Sequence, residues 1–169
     1  MSTSAQDSAG FVAAVAAGLL AGLACAPALA AINCSVSSAG VAFGDYHAAL
    51  ATPDDATGNL TVTCTRNASA DPRNVSFVLG LSPGGSGNYL ARQMASGFDR
   101  LDYNLHTDSA RSQIWGDGSA STATVSGGLS YPGSQTSNSV TYPIYGRAPA
   151  QQDVKHGNYR DAIVVTVTF

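Results

Sequence analysis

The sequence predicts an all-β fold of the β-sandwich class, and three observations lead to that prediction. The acidic residues are all Asp, Lys155 is the single Lys, and Thr, Val, Ser, Gly and Tyr are abundant. Glu and Lys, which favour helix surfaces, are therefore nearly missing. Apolar and polar residues alternate with period two in several short runs, which is typical of half-buried strands. Gly, Pro, Asn and Ser separate these runs, as expected for strands joined by turns.

The first thirty residues have the pattern of an export signal. Residues 11–26 are almost entirely Ala, Val, Leu and Gly, and they are followed by Pro27 and Ala28-Leu29-Ala30. An apolar core, a helix breaker and small residues before the cleavage point predict a signal peptide at 1–30 and one mature domain at 31–169. The core is too short and too rich in Ala and Gly for a lasting membrane span, so the mature form is expected to have none. The usual basic residues are missing, since Arg66 is the first Lys or Arg.

A lipoprotein anchor at Cys25 is the alternative interpretation of this leader. It fits less well, because Gly22 stands where such motifs favour Leu and the Ala28-Leu29-Ala30 site follows just downstream.

Two cysteines, Cys34 and Cys64, remain after this cleavage. An even pair in an exported protein predicts a disulfide. Closing a loop of roughly 30 residues contributes about 3–4 kcal/mol on the chain-entropy estimate.

The alternation supports this pairing and locates the other strands. Cys34 lies between Ile32 and Val36, and Cys64 follows Leu60 and Val62, so both cysteines belong to apolar strand faces. Further strands are predicted around three more sets of alternating residues: Val75, Phe77, Leu79 and Leu81; Leu101, Tyr103 and Leu105; Val140, Tyr142 and Ile144. Ile114-Trp115 forms a short apolar segment before the turn Gly116-Asp117-Gly118, and the polar stretch 119–139 is expected to hold one short strand between loops.

The last predicted strand runs from Tyr159 to Phe169 and carries core-type residues to its end. A complete immunoglobulin-like sandwich would place another strand beside it. Either the strand count closes in another way, or one strand is missing. A missing strand would leave an apolar groove and an unpaired edge that a partner must cover.

An ordered set of motifs resembles the spore coat protein U family, which includes subunits of archaic, Csu-type chaperone–usher pili. After Cys34, the matching segments are Val41-Ala42-Phe43-Gly44-Asp45-Tyr46, Ala56-Thr57-Gly58-Asn59-Leu60-Thr61-Val62-Thr63-Cys64, Leu101-Asp102-Tyr103-Asn104-Leu105-His106-Thr107-Asp108, Ile114-Trp115-Gly116-Asp117-Gly118, Tyr145-Gly146-Arg147, Gly157-Asn158-Tyr159-Arg160-Asp161 and Val165-Thr166-Val167-Thr168-Phe169. They cover essentially the whole predicted mature chain, in order.

The resemblance implies an incomplete immunoglobulin-like β-sandwich that lacks its final strand. It implies that a periplasmic pilus chaperone, an outer-membrane usher and sister pilus or coat subunits are the partners, and that a strand from a partner fills the groove. The groove would then be bordered by Ile163, Val165, Val167 and Phe169. Only three residues separate the predicted cleavage site from Cys34, so this subunit is expected to accept a strand rather than to donate one.

Several motifs partly match enzymatic or metal sites, and each is better explained as structure. Gly80-Leu81-Ser82-Pro83-Gly84 matches the G-x-S-x-G pattern, but no helix follows it, so a turn is expected. His47, His106 and His156 have no metal-ligand spacing and are expected to be solvated, with His106 on the polar side of its strand.

The candidate carboxylates and aromatic residues are also better explained as structural residues than as catalytic or sugar-binding groups. Asp54-Asp55, or Asp99 with Asp102, would be the acid pair of a glycoside hydrolase, but they are expected in a loop and on an outward strand face. Trp115 is expected to cap the core rather than to stack on a sugar, and Tyr131, Tyr142 and Tyr145 are interpreted in the same way.

The sequence thus predicts no catalytic, cofactor-binding or metal-binding residue and favours a secreted structural subunit of a surface pilus or coat, which passes through the periplasm to the cell surface. A net charge of −3 without a basic cluster argues against a nucleic-acid partner. The alternative is a self-sufficient secreted carbohydrate- or surface-binding sandwich, which would have a complete sheet and clustered exposed aromatics. A secreted hydrolase would need a convergent acid–base pair.

Overall fold

The computed structural model describes residues 32–169, so the predicted leader at 1–30 and its alternative at Cys25 lie outside the described residues. The described chain forms eight strands: β1 (Ile32–Ala39), β2 (Asp54–Arg66), β3 (Asn74–Leu81), β4 (Arg92–Ser96), β5 (Asp99–His106), β6 (Val125–Ser130), β7 (Ser137–Ala148) and β8 (Val165–Thr168). Apart from one 3-10 turn at Gly84–Ser86, residues 32–169 contain no helix. The predicted all-β class is confirmed.

The strands form two sheets. One has the order β1-β2-β7-β5-β4 and the other has the order β6-β3-β8, with every neighbouring pair antiparallel. The core between them combines alternate residues of each sheet, as a sandwich requires. Leu60 and Val62 of β2 and Leu79 of β3 are 0% exposed, whereas Thr61 and Thr63 lie on the outer face. The predicted immunoglobulin-like sandwich is therefore the observed architecture.

Two elements differ from the sequence-based prediction. β4 was not predicted, because its inward positions are Met94 and Arg92 and a buried Arg removes the apolar alternation that marks a strand. The last strand is shorter than expected, with ladder pairing only at Val165–Thr168. Arg160 instead bridges to Ala95 of β4, so the chain passes from one sheet towards the other before β8 begins.

Candidate functional site

Two strands of the sandwich have a free edge on the same side of the molecule. β8 is hydrogen-bonded to β3 alone, and β1 is hydrogen-bonded to β2 alone, so each is the last strand of its sheet. An edge strand presents unpaired N–H and C=O groups that can bind a further strand.

The inward faces of these two strands are incompletely covered. Val167 lies opposite Leu79 in the ladder, so both side chains share one face of the sheet. Leu79 is fully buried, but Val167 is only half-buried. In the same way, Val36 of β1 is opposite Val62 and is 39% exposed, whereas Val62 is 0% exposed. Apolar side chains therefore point inward on both edge strands without a strand in front of them.

Two cavities lie between these edges. A cavity of about 360 Å³ is lined by Ser38 at the end of β1 and by Ile163 and Val165. A second, of about 380 Å³, is lined by Ile32 and Cys34 at the start of β1 and by Phe169. Because each cavity contacts both β1 and the C-terminal residues 163–169, the two mark opposite ends of one open side of the sandwich. We name the surface between β1 and residues 163–169 the edge groove.

The four residues predicted to border a groove all lie here. Ile163 and Val165 line the first cavity and Phe169 lines the second. Val167 is the half-buried residue between them. Phe169 is 68% exposed and packs edge-on against Phe77, with ring centroids 6.3 Å apart. The role of these four residues in binding a strand remains a prediction.

The opposite wall, β1, was missed by sequence reasoning. The alternation of Ile32, Cys34 and Val36 identified β1 as a strand, but it does not reveal that β1 ends its sheet and faces β8 across the sandwich. The disulfide between Cys34 and Cys64 is present as predicted and joins β1 to β2 at directly opposed positions. It therefore fixes one wall of the edge groove to the core.

A buried polar cluster fixes the other wall. Arg92 is 0% exposed. Its guanidinium donates to the Ser82 carbonyl at 2.8 and 3.1 Å, to the Trp115 carbonyl at 2.7 Å and to Asn104 Oδ1 at 2.8 Å. Burial lowers the pKa of this guanidinium, which nevertheless stays charged because arginine is not deprotonated in proteins. Ser82 in turn holds Val164, whose N–H donates to Ser82 Oγ at 2.9 Å.

Ser82 thus has a structural role. Its N–H also donates to the Val164 carbonyl at 2.9 Å, and its hydroxyl oxygen accepts from Gly84 N at 3.4 Å. The chain continues into a 3-10 turn at Gly84–Ser86 rather than the helix of a nucleophile elbow. The G-x-S-x-G match is a turn that leads from β3 towards β4 and is hydrogen-bonded to Val164, just before β8.

Asp161 anchors the same segment. Its carboxylate accepts hydrogen bonds from Gly85 N at 2.9 Å, Ala162 N at 2.8 Å and the Tyr103 hydroxyl at 2.7 Å. Burial, together with the bond to Asp161, raises the pKa of the Tyr103 hydroxyl far above its ordinary value. Tyr103 therefore remains a neutral donor, and this contact positions residues 161–163 at the groove.

The prediction for His106 is wrong. It was expected to be solvated on the polar side of its strand, but it is 6% exposed, and Nδ1 donates to the Tyr145 carbonyl at 3.2 Å. The physical reason is that residues 107–114 turn back alongside the end of β5, where Ile114 bridges to His106 while Tyr145 of β7 pairs with it. His106 therefore has neighbouring chain segments rather than solvent on both sides. His47 and His156 are exposed, as expected.

His106 makes stability depend on pH in a definite direction. Burial lowers the pKa of His106 from its ordinary value of 6.5. The imidazole of His106 then binds a proton more readily in the unfolded chain than in the folded chain. The free energy of unfolding therefore has its full value above about pH 6.5 and decreases as the pH falls below that. We expect His106→Gln to reduce the loss of stability between about pH 7.5 and about pH 5.5 in urea denaturation. His156→Gln, at an exposed position, should leave the wild-type slope unchanged, and equal slopes for all three proteins would contradict the prediction.

The candidate carboxylates do not converge into an acid–base pair. Asp54 and Asp55 begin β2 rather than lying in the predicted loop, and Asp55 accepts two bonds from Arg147 at 2.7 and 2.8 Å. The bond to Arg147 lowers the pKa of Asp55, while burial raises that of Asp54.

The other two candidates lie on β5 with different partners. Asp99 contacts Lys155 at 3.6 Å, and Asp102 accepts from Gln93 at 2.7 Å. Within residues 32–169, no group of three or more His, Cys, Asp or Glu is arranged to hold a metal ion.

The aromatic residues weighed as sugar-stacking groups are packed into the protein. Trp115 is 0% exposed, and its Nε1 donates to the Leu79 carbonyl at 3.0 Å. Tyr131 is 1% exposed, and Tyr142 and Tyr145 are half-buried. Phe98, at the turn between β4 and β5, is fully exposed but was not singled out in the sequence. These positions do not form an exposed aromatic cluster.

No helix of sufficient length and hydropathy to cross a bilayer occurs in the described part of the chain.

Comparison with known proteins places this geometry in a family. The profile of the Spore Coat Protein U domain matches residues 20–166. Protein U of Myxococcus xanthus is 34% identical over 117 residues, which are 67% of this chain and 59% of that protein. The chain therefore spans less than two thirds of this relative.

A solved structure shares the fold. It is the pre-assembly complex of the chaperone CsuC and the tip adhesion subunit CsuE from the archaic chaperone–usher Csu pili of Acinetobacter baumannii. The match has a TM-score of 0.53 and 20% identity, and it covers 82% of this chain and 40% of the matched one. Together with the profile match over most of the sequence, these findings show that the chain belongs to the Spore Coat Protein U domain family.

Proposed function

We propose that this chain is an exported, non-catalytic structural subunit of a surface pilus or coat, and that its edge groove accepts a strand from another protein. A periplasmic chaperone would supply the strand first, and a sister subunit would replace it during assembly at an outer-membrane usher. The leader at 1–30 would be removed on export. Such strand addition supplies the missing backbone hydrogen bonds and covers the apolar side chains of the groove.

One observation supports this proposal most directly. Val36 and Val167 point inward from the edge strands of two different sheets, and both remain partly exposed although their ladder partners Val62 and Leu79 are fully buried. A self-sufficient binding module would cover these positions with its own sheet. The alternative function also lacks the exposed aromatic cluster that it would need.

The proposal predicts that the isolated protein depends on a partner. The full chain should be exported to a bacterial periplasm with and without an archaic-type chaperone and then studied by size-exclusion chromatography and thermal melting. We expect the protein alone to aggregate or to melt at low temperature, and co-expression to yield a stable one-to-one complex. A cooperative, stable monomer that does not bind the chaperone would show that the sheet needs no further strand.

A matched pair of substitutions on β1 makes this experiment specific to the groove. Val36→Asp places a carboxylate at an inward position that is still 39% exposed. While the groove is open, water can therefore still hydrate this carboxylate. Covering it with a strand would bury an unpaired charge, which costs several kcal/mol. Val36→Asp should therefore abolish the complex, whereas Ser37→Asp, on the outer face of the same strand, should retain it.

A further inference from the structure

The edge groove opens into a larger cleft. This cleft has a volume of about 940 Å³ and lies between residues 41–48 and 154–160, with Met94 and Leu101 at its base. The cleft and the first cavity of the groove have five residues in common: Val41, Phe43, Met94, Tyr159 and Arg160. An extended segment lying in the groove can thus continue past Ile163 into the cleft.

Arg160 lies at this junction and is one of the residues that line both cavities. Its backbone is held to β4 in both directions, since Arg160 N donates to the Ala95 carbonyl at 3.1 Å and Ala95 N donates to the Arg160 carbonyl at 2.8 Å. The position of the guanidinium is therefore limited by a fixed backbone, while the side chain itself is exposed.

This guanidinium differs from every other cation of the chain. All eight Lys and Arg residues lie in the described part. Seven of them bind carbonyl, amide or carboxylate oxygens through their side chains: Arg66, Arg73, Arg92, Arg100, Arg111, Arg147 and Lys155. The side chain of Arg160 forms no hydrogen bond or ion pair with any residue from 32 to 169.

The nearby carboxylates do not supply its partner. Asp161, the adjacent residue, already accepts three hydrogen bonds from Tyr103, Gly85 and Ala162. Asp45 lines the cleft but forms no ion pair with Arg160 among the described residues. A charge without a partner, at the mouth of an apolar groove, is suited to bind a carboxylate on an incoming segment, because a guanidinium offers two parallel donors to such a group.

We infer that the segment which fills the edge groove carries an acidic residue, and that Arg160 binds this residue where the groove opens into the cleft. This inference rests on the proposed function. Alternating apolar side chains would enter the groove along residues 163–169, and the acidic residue would follow the apolar residue that packs against Ile163. The contact would select among segments of equal apolar content and fix their register along β8.

The test uses synthetic peptides and the exported chain, which is released from its chaperone complex and kept dilute and cold so that the open groove does not cause aggregation. Peptides of about nine alternating Val and Thr residues, long enough to run along residues 163–169 and beyond, would carry either Asp or Asn at one end, with a second pair modified at the other end. Their dissociation constants would be measured by fluorescence polarisation. We expect one Asp peptide to bind roughly two- to five-fold more tightly than its Asn counterpart at low salt, as for an exposed ion pair. This preference should disappear near 1 M salt.

Substitutions assign the preference to one side chain. Arg160→Gln should bind the Asp and Asn peptides equally, and Arg160→Glu should prefer a peptide that ends in Lys. Arg100→Gln is the matched control, because the guanidinium of Arg100 is exposed and binds its own hairpin. It should keep the wild-type preference.

The outcomes separate this inference from the proposed function. If the peptides bind but wild type does not distinguish Asp from Asn, or if Arg160→Gln still does, the inference is wrong while the groove remains a strand-binding site. If none of the peptides binds to wild type, the proposed function is wrong, and the inference fails with it.

Discussion

Replacing Arg92 with Ala is expected to lower the free energy of unfolding by about 3 kcal/mol. Two acceptors, one buried and one partly buried, lose their donor at a cost of about 1–3 kcal/mol each, and a third, Asn104 Oδ1, keeps only its bond from Leu105 N. These acceptors are the carbonyl oxygens of Ser82 and Trp115 and Oδ1 of Asn104. They belong to three different parts of the sandwich, and Arg92 is the group that joins them. Urea denaturation followed by the fluorescence of Trp115, the single Trp, measures the change directly.

Two variants distinguish the hydrogen-bond network from charge alone. Arg92→Lys keeps the cation but not the planar set of donors that reaches three acceptors, so it should remain clearly destabilised. Arg100→Ala removes an exposed guanidinium that binds the carbonyls of Gly97 and Asp99, and it should change stability by no more than about 0.5 kcal/mol. If Arg92→Ala lost less than about 1 kcal/mol, water or neighbouring donors would be satisfying these acceptors, and the cluster would not be essential.

The Arg92→Ala substitution should also loosen the wall of the edge groove. Ser82 accepts from Arg92 through its carbonyl and from Val164 through its hydroxyl, so loss of Arg92 loosens the residue that positions the start of β8. Faster amide exchange in β8 than in β2 of the Arg92→Ala variant would show that the buried cluster supports the groove wall specifically.

The sequence was most informative where one strand face is apolar and the other is polar. Leu60, Val62 and Cys64 alternate with Thr in β2, and they form the fully buried centre of the sandwich. The apolar run near the C-terminal end was equally clear, although β8 pairs over only Val165–Thr168. These features are local, so a single sequence reveals them.

Features that depend on contacts between distant segments could not be predicted in this way. β4 was missed because Arg92 takes an inward position that pattern analysis assigns to the outside. His106 was placed in solvent because the residues that pair with it, Ile114 and Tyr145, lie elsewhere in the sequence. The role of β1 depends on the order of the strands in two sheets, which no alternation within β1 reveals.

Removing the disulfide is the second change with a large expected effect. Cys34 and Cys64 are 30 residues apart, and opening a loop of this length should cost about 3–4 kcal/mol on the chain-entropy estimate. The double variant Cys34→Ala with Cys64→Ala is preferable to Ser, because Cys64 is fully buried and a hydroxyl there would lack a partner. Urea denaturation of the variant and of the oxidised and reduced wild type gives the difference in stability.

Because the disulfide lies on an edge strand, we expect its loss to loosen β1 locally as well as to lower the stability of the whole domain. β1 has β2 as its single hydrogen-bonded neighbour, and Val36 on its inner face is still 39% exposed, so few other contacts hold it. Loss of the bond should therefore free β1 before the rest of the sandwich unfolds, and partner binding at the edge groove should weaken more than the change in global stability accounts for. Cys25→Ala, in the predicted leader, is the control and should behave as wild type. If the double Ala variant kept full partner binding while losing stability, β1 would be held by its ladder with β2, and the disulfide would stabilise the fold without shaping the groove.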